Sequence, residues 1–200
     1  FISVSVIIAQ FIVIIPAAYA FARKPFKGSG VMFGIILLGL MIPSQVTFLP
    51  VYLLFSRIGL INNYMTLILP FVSSSFGIFL LTQNFRQIPR DVIEAARLDG
   101  ASGLQIIFRV MLPMAKPAII TFALFSFIAH WNDYFWVLSM TTSEAVRTLP
   151  VGVVALKDNE GVKNWHTIMA GNVMLVAPIL FVYSLASRQI KSAFTYSGIK

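Results

Sequence analysis

The sequence predicts an all-α, polytopic membrane protein with five spans, and three observations predict it. Of its 200 residues, 58% are hydrophobic and 11% charged, against about 25% charged in ordinary soluble domains. The mean hydropathy is +0.86, more apolar surface than a soluble chain of this size can hide. The basic residues gather in short stretches between apolar runs long enough to cross a bilayer, which takes roughly 20 helical residues. That placement makes membrane lipid, not nucleic acid, the counterpart of the +8 net charge. There is no cysteine, which excludes disulfides and thiolate metal sites.

The elements follow in order. Residues 1–22 are a continuous apolar run of spanning length. The run has no initiator Met and no basic leader, so it is not read as a signal peptide. Arg23, Lys24 and Lys27 mark a basic turn. Residues 31–55 form the second span, where Pro43 and Pro50 free backbone carbonyls and predict a kinked or partly unwound helix. Residues 64–83 form the third, with Pro70 followed by Ser73, Ser74, Ser75 and Gly77, small enough for a neighbouring helix to approach closely. The fourth covers 118–140. A longer loop, 141–164, carries a segment at 150–154 that reads as a short interfacial helix or strand. The fifth span is 165–187, with Gly171 and Pro178 inside, and a basic tail follows at 188–200. No repeat is visible, and the expectation is one domain over 1–200.

Residues 85–117 are the one long polar interruption, with five of the fifteen basic residues and three of the seven acids. Pro89 suits a first helical position, where its missing N–H costs nothing. Gly100 sits where a helix ending near Leu98 needs a left-handed residue. Ser102 with Gln105 three residues on is a capping box for a second helix. Pro113 disfavours the helical state at Leu112. Two short helices meeting at a turn, slung between spans, offer a grip to something outside the membrane. Alternate loops put eleven of the fifteen basic residues on the face that carries this elbow and the tail. Arg57, Arg147, Lys157 and Lys163 fall on the other. By the positive-inside rule the elbow and the C-terminus are cytoplasmic, and residue 1 starts outside.

A second constellation stands in the fourth span. Ser126, His130, Asp133 and Trp136 are spaced to share one helix face, with Trp131, Asn132 and Tyr134 alongside. An ionisable Asp in a span costs about 2.5–3.5 kcal/mol at its centre, so it should face a cavity, a partner or the interface. Aromatic faces beside amide and carboxylate groups suit a polyhydroxylated solute, which makes His130, Trp131, Asn132, Asp133 and Trp136 a candidate solute path. The alternative is an interfacial belt of Trp131, Tyr134 and Trp136. Ser126, His130 and Asp133 also suggest a hydrolase trio, but triad groups must converge from different directions, and these share one helix.

The elbow carries a resemblance. Glu94-Ala95-Ala96, three residues, Gly100, nine residues, then Val110-Met111-Leu112-Pro113 resembles the EAA loop of bacterial ABC-importer permeases, with Val110 in place of Ile the one departure. Ile88-Pro89, Asp99-Gly100-Ala101-Ser102 and Trp131-Asn132-Asp133 are similar to the carbohydrate branch, the maltose and glycerol-3-phosphate type. The similarity runs in order from about residue 40 to the closing Gly198-Ile199-Lys200. It implies a multi-pass subunit of the bacterial inner membrane that imports a sugar or sugar-like solute by alternating access. Pro89, Asp91, Glu94, Ala95, Ala96, Asp99, Gly100, Leu112 and Pro113 would contact the ATPase subunit. It also implies a second permease subunit in a heterodimer, two ATP-binding cassette subunits and an extracytoplasmic solute-binding protein, and a tail that reaches the ATPase. Such permeases have six spans, so a first span is expected to be missing here. No stretch matches Gly-x-x-x-x-Gly-Lys-Ser/Thr, so no cofactor is expected on this chain, and ATP with Mg belongs to the partner. Rival readings are an EAA-loop permease for polyamines, phosphate or peptides, or an ion-coupled secondary transporter.

Overall fold

Uninterrupted apolar runs become helices in the computed structural model, which describes residues 1–158 and 165–195. α1 (Ile2–Arg23) carries Pro16 internally and closes on Arg23, a cation at the negative end of the helix dipole. The second run is α2 (Ser29–Gly39) and α3 (Ser44–Arg57), interrupted at Pro43, whose extended backbone leads into α3. Pro50 is held inside α3 without a break. The third run is α4 (Tyr64–Ile68), a 3-10 turn at Leu69–Phe71 that contains Pro70, and α5 (Ser75–Gln87). Ser74 Oγ starts α5 by accepting the Gly77 N–H at 3.1 Å. The elbow supplies α6 (Arg90–Leu98) and α7 (Gly103–Ile106), the latter running on through a π turn, Ile107–Met111, into α8 (Leu112–Met114). α9 (Lys116–Trp131), α10 (Phe135–Met140), α11 (Leu149–Asp158) and α12 (Trp165–Thr195) complete the chain. Segment 150–154 is thus helical.

Among the described residues two helices, Ile2–Arg23 and Trp165–Ser187, are long and apolar enough to cross a membrane, and counting each bent pair of helices as one span gives up to five. Around α12, Val173, Leu180, Phe181 and Leu185 are all exposed, as expected where the surrounding medium is hydrocarbon.

Two sequence expectations are corrected. The fourth span is not one helix over 118–140: α9 stops at Trp131 and the chain restarts as α10 at Phe135. Ser126, His130, Asp133 and Trp136 therefore do not line one helix face. Leu112, moreover, is helical despite Pro113 (φ −63°, ψ −45°). The π turn just before it widens the helix, which relieves the clash between a proline ring and the preceding turn. The break falls two residues after the proline, at Ala115 (φ −92°, ψ 10°), where the path turns by 80° into α9.

The chain divides into two units. One is built from Ile8–Ile42 and Ser73–Ala123 around Ile14, Leu81, Phe85, Met111 and Phe122. Gly77 lets α5 come so close that a Cβ there would lie 2.5 Å from Ile14 Cδ1 and 2.7 Å from Phe122 Cε2. The other is built from Phe1–Ile7, Pro43–Val72 and Leu124–Ser187 around Leu67, Trp136, Val137 and Met140. In it Asn62, itself left-handed (φ 64°), accepts the N–H groups of Thr142 and Ser143 at 3.0 and 2.9 Å. Gly198, Ile199 and Lys200, on which the expected docking tail rests, lie outside the described residues.

Candidate coupling surface and solute cavity

The elbow is built by its caps. Pro89 stands just outside α6, extended at φ −56° and ψ 141°, and Arg90 is the first helical residue, one position later than the sequence suggested. Asp91 lies in the first turn, where the helix dipole favours an anion. At the far end Gly100 takes φ +80°. Its N–H bonds the Arg97 carbonyl at 3.0 Å, and the Ala101 N–H bonds that of Ala96 at 3.0 Å, the paired bonds of a Schellman ending. Ser102 then opens α7 with a full capping box: its Oγ accepts the Gln105 N–H at 3.3 Å, and its own N–H donates to Gln105 Oε1 at 2.7 Å. The turn is held on both sides. Replacing Ser102 by Ala removes a cap worth about 1 kcal/mol, so hydrogen exchange at the Gln105 amide should quicken by roughly fivefold.

The elbow has an anchored face and an open one. Ile88, Ile93, Ile106, Ile107 and Met111 are buried in the core of their unit, and Ala96, Ala101 and Leu112 pack against it. Asp91, Glu94, Ala95, Asp99, Gly100 and Pro113 are exposed. The two alanines thus differ: Ala96 allows close approach to the protein's own core, and only Ala95 is free for a partner. Sequence reasoning missed the exposed apolar residues beside them, Leu98 (90% exposed), Leu104 (68%) and Phe108 (62%). Their signal was available, since apolar side chains in so polar a stretch need a reason.

In the other unit, an open cavity of about 370 Å³ is lined by Phe1, Ile2, Ser3, Tyr64, His130, Trp131 and 147–150. The His130 ring lies 4.7 Å from that of Phe71. Trp131 donates Nε1–H to the Leu175 carbonyl at 3.0 Å and stacks on Phe127 at 5.5 Å. Arg147 Nε and Thr148 Oγ1 are buried with no hydrogen-bond partner among the described residues, an arrangement that favours an incoming acceptor. Neither residue was singled out in the sequence.

The remaining expected path residues lie elsewhere. Asn132 is exposed in the break after α9. Asp133 Oδ1 accepts the Trp136 N–H at 3.1 Å and so starts α10. Trp136 is buried, donates Nε1–H to the Thr66 carbonyl at 3.0 Å, and packs edge-on against Phe48 and Phe71. It is a core residue, outside both the path and the belt readings. The Asp133 carboxylate serves a backbone amide, which removes the geometric basis of the hydrolase trio. Among the described residues no cluster of His, Asp or Glu is arranged to hold a metal.

A helical membrane bundle with an anchored, capped elbow is the architecture of a transport permease. The chain belongs to the family described as binding-protein-dependent transport system inner membrane component, the permease class of ABC importers, which matches residues 12–196. It is 30% identical over 199 residues to the arabinooligosaccharides transport system permease protein AraQ of Halalkalibacterium halodurans, covering 100% of this chain and 71% of that one. It is 33% identical to the trehalose/maltose transport system permease protein MalG of Thermococcus litoralis, covering 92% and 67%. Among solved structures, a bacterial ABC transporter involved in the import of the acidic polysaccharide alginate matches with a TM-score of 0.78 at 28% identity, over 93% of this chain and 70% of that one. The chain spans about two thirds of the length of the curated relatives it matches, 64% and 62% for two of them.

Proposed function

We propose that this chain is the membrane subunit of an ATP-driven importer that moves a sugar or sugar-like solute by alternating access, with the elbow as its contact to an ATP-binding subunit. The observation that carries the reading is the elbow itself. It is anchored by five buried apolar residues, capped on both sides of its turn, and open where Asp91, Glu94 and Ala95 neighbour Leu98. An apolar patch rimmed by charge is what a protein interface needs. The sugar class is supported by the relatives named for arabinooligosaccharides and trehalose/maltose. The basic-residue asymmetry supports a cytoplasmic elbow and C-terminus in the bacterial inner membrane. Family membership implies ATP-binding and other transport subunits, and our reading adds a second, different permease and a solute-binding protein. His130 and Trp131 are the part of the expected solute path that lines a cavity, and Arg147 and Thr148 join them there.

Leu98→Asp puts a charge at the centre of the proposed contact without touching the anchored face. In the assembled importer, uptake should fall by roughly tenfold or more, as expected for a buried anchor worth about 2 kcal/mol, and the ATP-binding subunit should be lost on purification. Abundance in the membrane should be unchanged. Wild-type uptake by Leu98→Asp, or uptake that survives ATP depletion but stops when the ion gradient is collapsed, would overturn the reading.

A further inference from the structure

A second open cavity, of about 420 Å³, lies where α1 and α5 end beside α6. Four guanidinium groups line it, from Arg23, Arg86, Arg90 and Arg97, with Glu94 as the one carboxylate among the described lining residues. Two of the four are held in place by the protein. Arg23 Nη2 donates to the carbonyls of Phe85, at 2.5 Å, and Ile88, while its buried Nε has no partner among the described residues. Arg86 lies over the Phe33 ring at 5.1 Å and donates to the Phe21 carbonyl at 3.4 Å. Glu94 sits between Arg90 and Arg97 in sequence, yet among the described residues no ion pair joins it to either. Arg90 and Arg23 line the same space and, both being cations, repel one another. So concentrated a positive charge, offset among the described lining residues by Glu94 alone, favours an anion in this space.

The position of the cavity says which anion. α1 is an apolar helix of spanning length and α5 the second half of a bent pair that passes as one span, so the cavity opens where two spans end and where lipid phosphates are expected. Phe21 and Ile93 add apolar lining, which suits the glycerol and upper acyl carbons of a lipid and has no use for a small hydrated ion. Guanidinium forks match phosphate oxygens two at a time. We propose that this cavity binds the phosphate of an anionic phospholipid, gripped by Arg23, Arg86, Arg90 and Arg97. The site ties the ends of α1 and α5 to α6, and it stands whether or not the elbow meets an ATP-binding subunit.

The test uses the complete importer, with its partner subunits, in nanodiscs of equal parts phosphatidylglycerol and phosphatidylcholine, followed by native mass spectrometry. The wild type should retain phosphatidylglycerol in preference. The double variant Arg86→Gln/Arg97→Gln should retain roughly tenfold less, since each basic group near an anionic headgroup is worth a several-fold factor. Arg86→Lys/Arg97→Lys, which keeps the charge and loses the fork, should fall between them and controls for folding. Equal retention of the two lipids, or full retention by the Gln variant, overturns the proposal. Displacement of the lipid by excess inorganic phosphate would make this a small-anion site. Lipid held only by the permease stripped of its ATP-binding subunits would mean that acidic side chains of the partner fill it. Either result also overturns the lipid assignment.

Discussion

Gly100→Val should cut transport to about a tenth or below while leaving membrane insertion and abundance intact. Gly100 holds φ +80° with nothing among the described residues within 4 Å of the position a Cβ would take. The penalty is therefore in the backbone and not in packing within the chain. For an ordinary L-residue the left-handed state costs about 1–2 kcal/mol, and more for a β-branched one. That is enough to open the paired bonds from Gly100 and Ala101 that end α6. Once they open, α6 no longer holds its angle to α7, and a partner gripping it would meet a loose joint. A graded series isolates the cause. Gly100→Asn, which tolerates the left-handed region, should keep most activity, Gly100→Ala should keep less, and Gly100→Val should retain about a tenth or below. Uptake assays beside immunoblots of membrane fractions check this. If Asn proves as damaging as Val, bulk against a partner and not backbone conformation is the cause.

Gly77→Leu should destabilise the fold markedly, by overpacking the seam where α5 meets Ile14 and Phe122. A Cβ at this position lies inside contact distance of Ile14 Cδ1 and of two atoms of the Phe122 ring, 2.7 and 2.8 Å away. Ile14 is wholly buried and Phe122 nearly so, so neither has space into which to retreat. Overpacking of this kind costs about 1–3 kcal/mol, read as a lowered thermal unfolding midpoint in detergent. Phe122→Ala alone should also destabilise, through the cavity it leaves. Combined with Gly77→Leu it should cost less than the two added together, because the new side chain fills the vacated volume. Strict additivity would show that α5 and α9 do not meet at this point.

The elbow was legible almost residue by residue because its signals are local. A left-handed glycine and a Ser-x-x-Gln box act on the backbone within a few positions, so Gly100, Ser102 and Gln105 stand where the sequence places them. The break after Trp131 was not legible. No Gly or Pro marks the interruption within residues 118–140, and the one polar dip, at residues 130–134, equally suits polar groups lining a span. The cue was Asp133, read as a membrane-buried charge when its carboxylate caps the next helix. Pro113 misled for a related reason, because the π turn that shelters it leaves no mark in residue type. The cavity residues Arg147 and Thr148 were out of reach altogether: they join His130 only through the tertiary fold. Ala95 and Ala96 show the same limit on a smaller scale, being identical neighbours that only packing distinguishes.

The 80° corner at Ala115 gives the stretch Gly103–Met114 the geometry of a crank. At helical rise its throw is about 18 Å, so a push of about 3 Å across its outer end turns α9 on its own axis by about ten degrees. Torque, and not traction along a helix axis, is the form of work such a joint delivers.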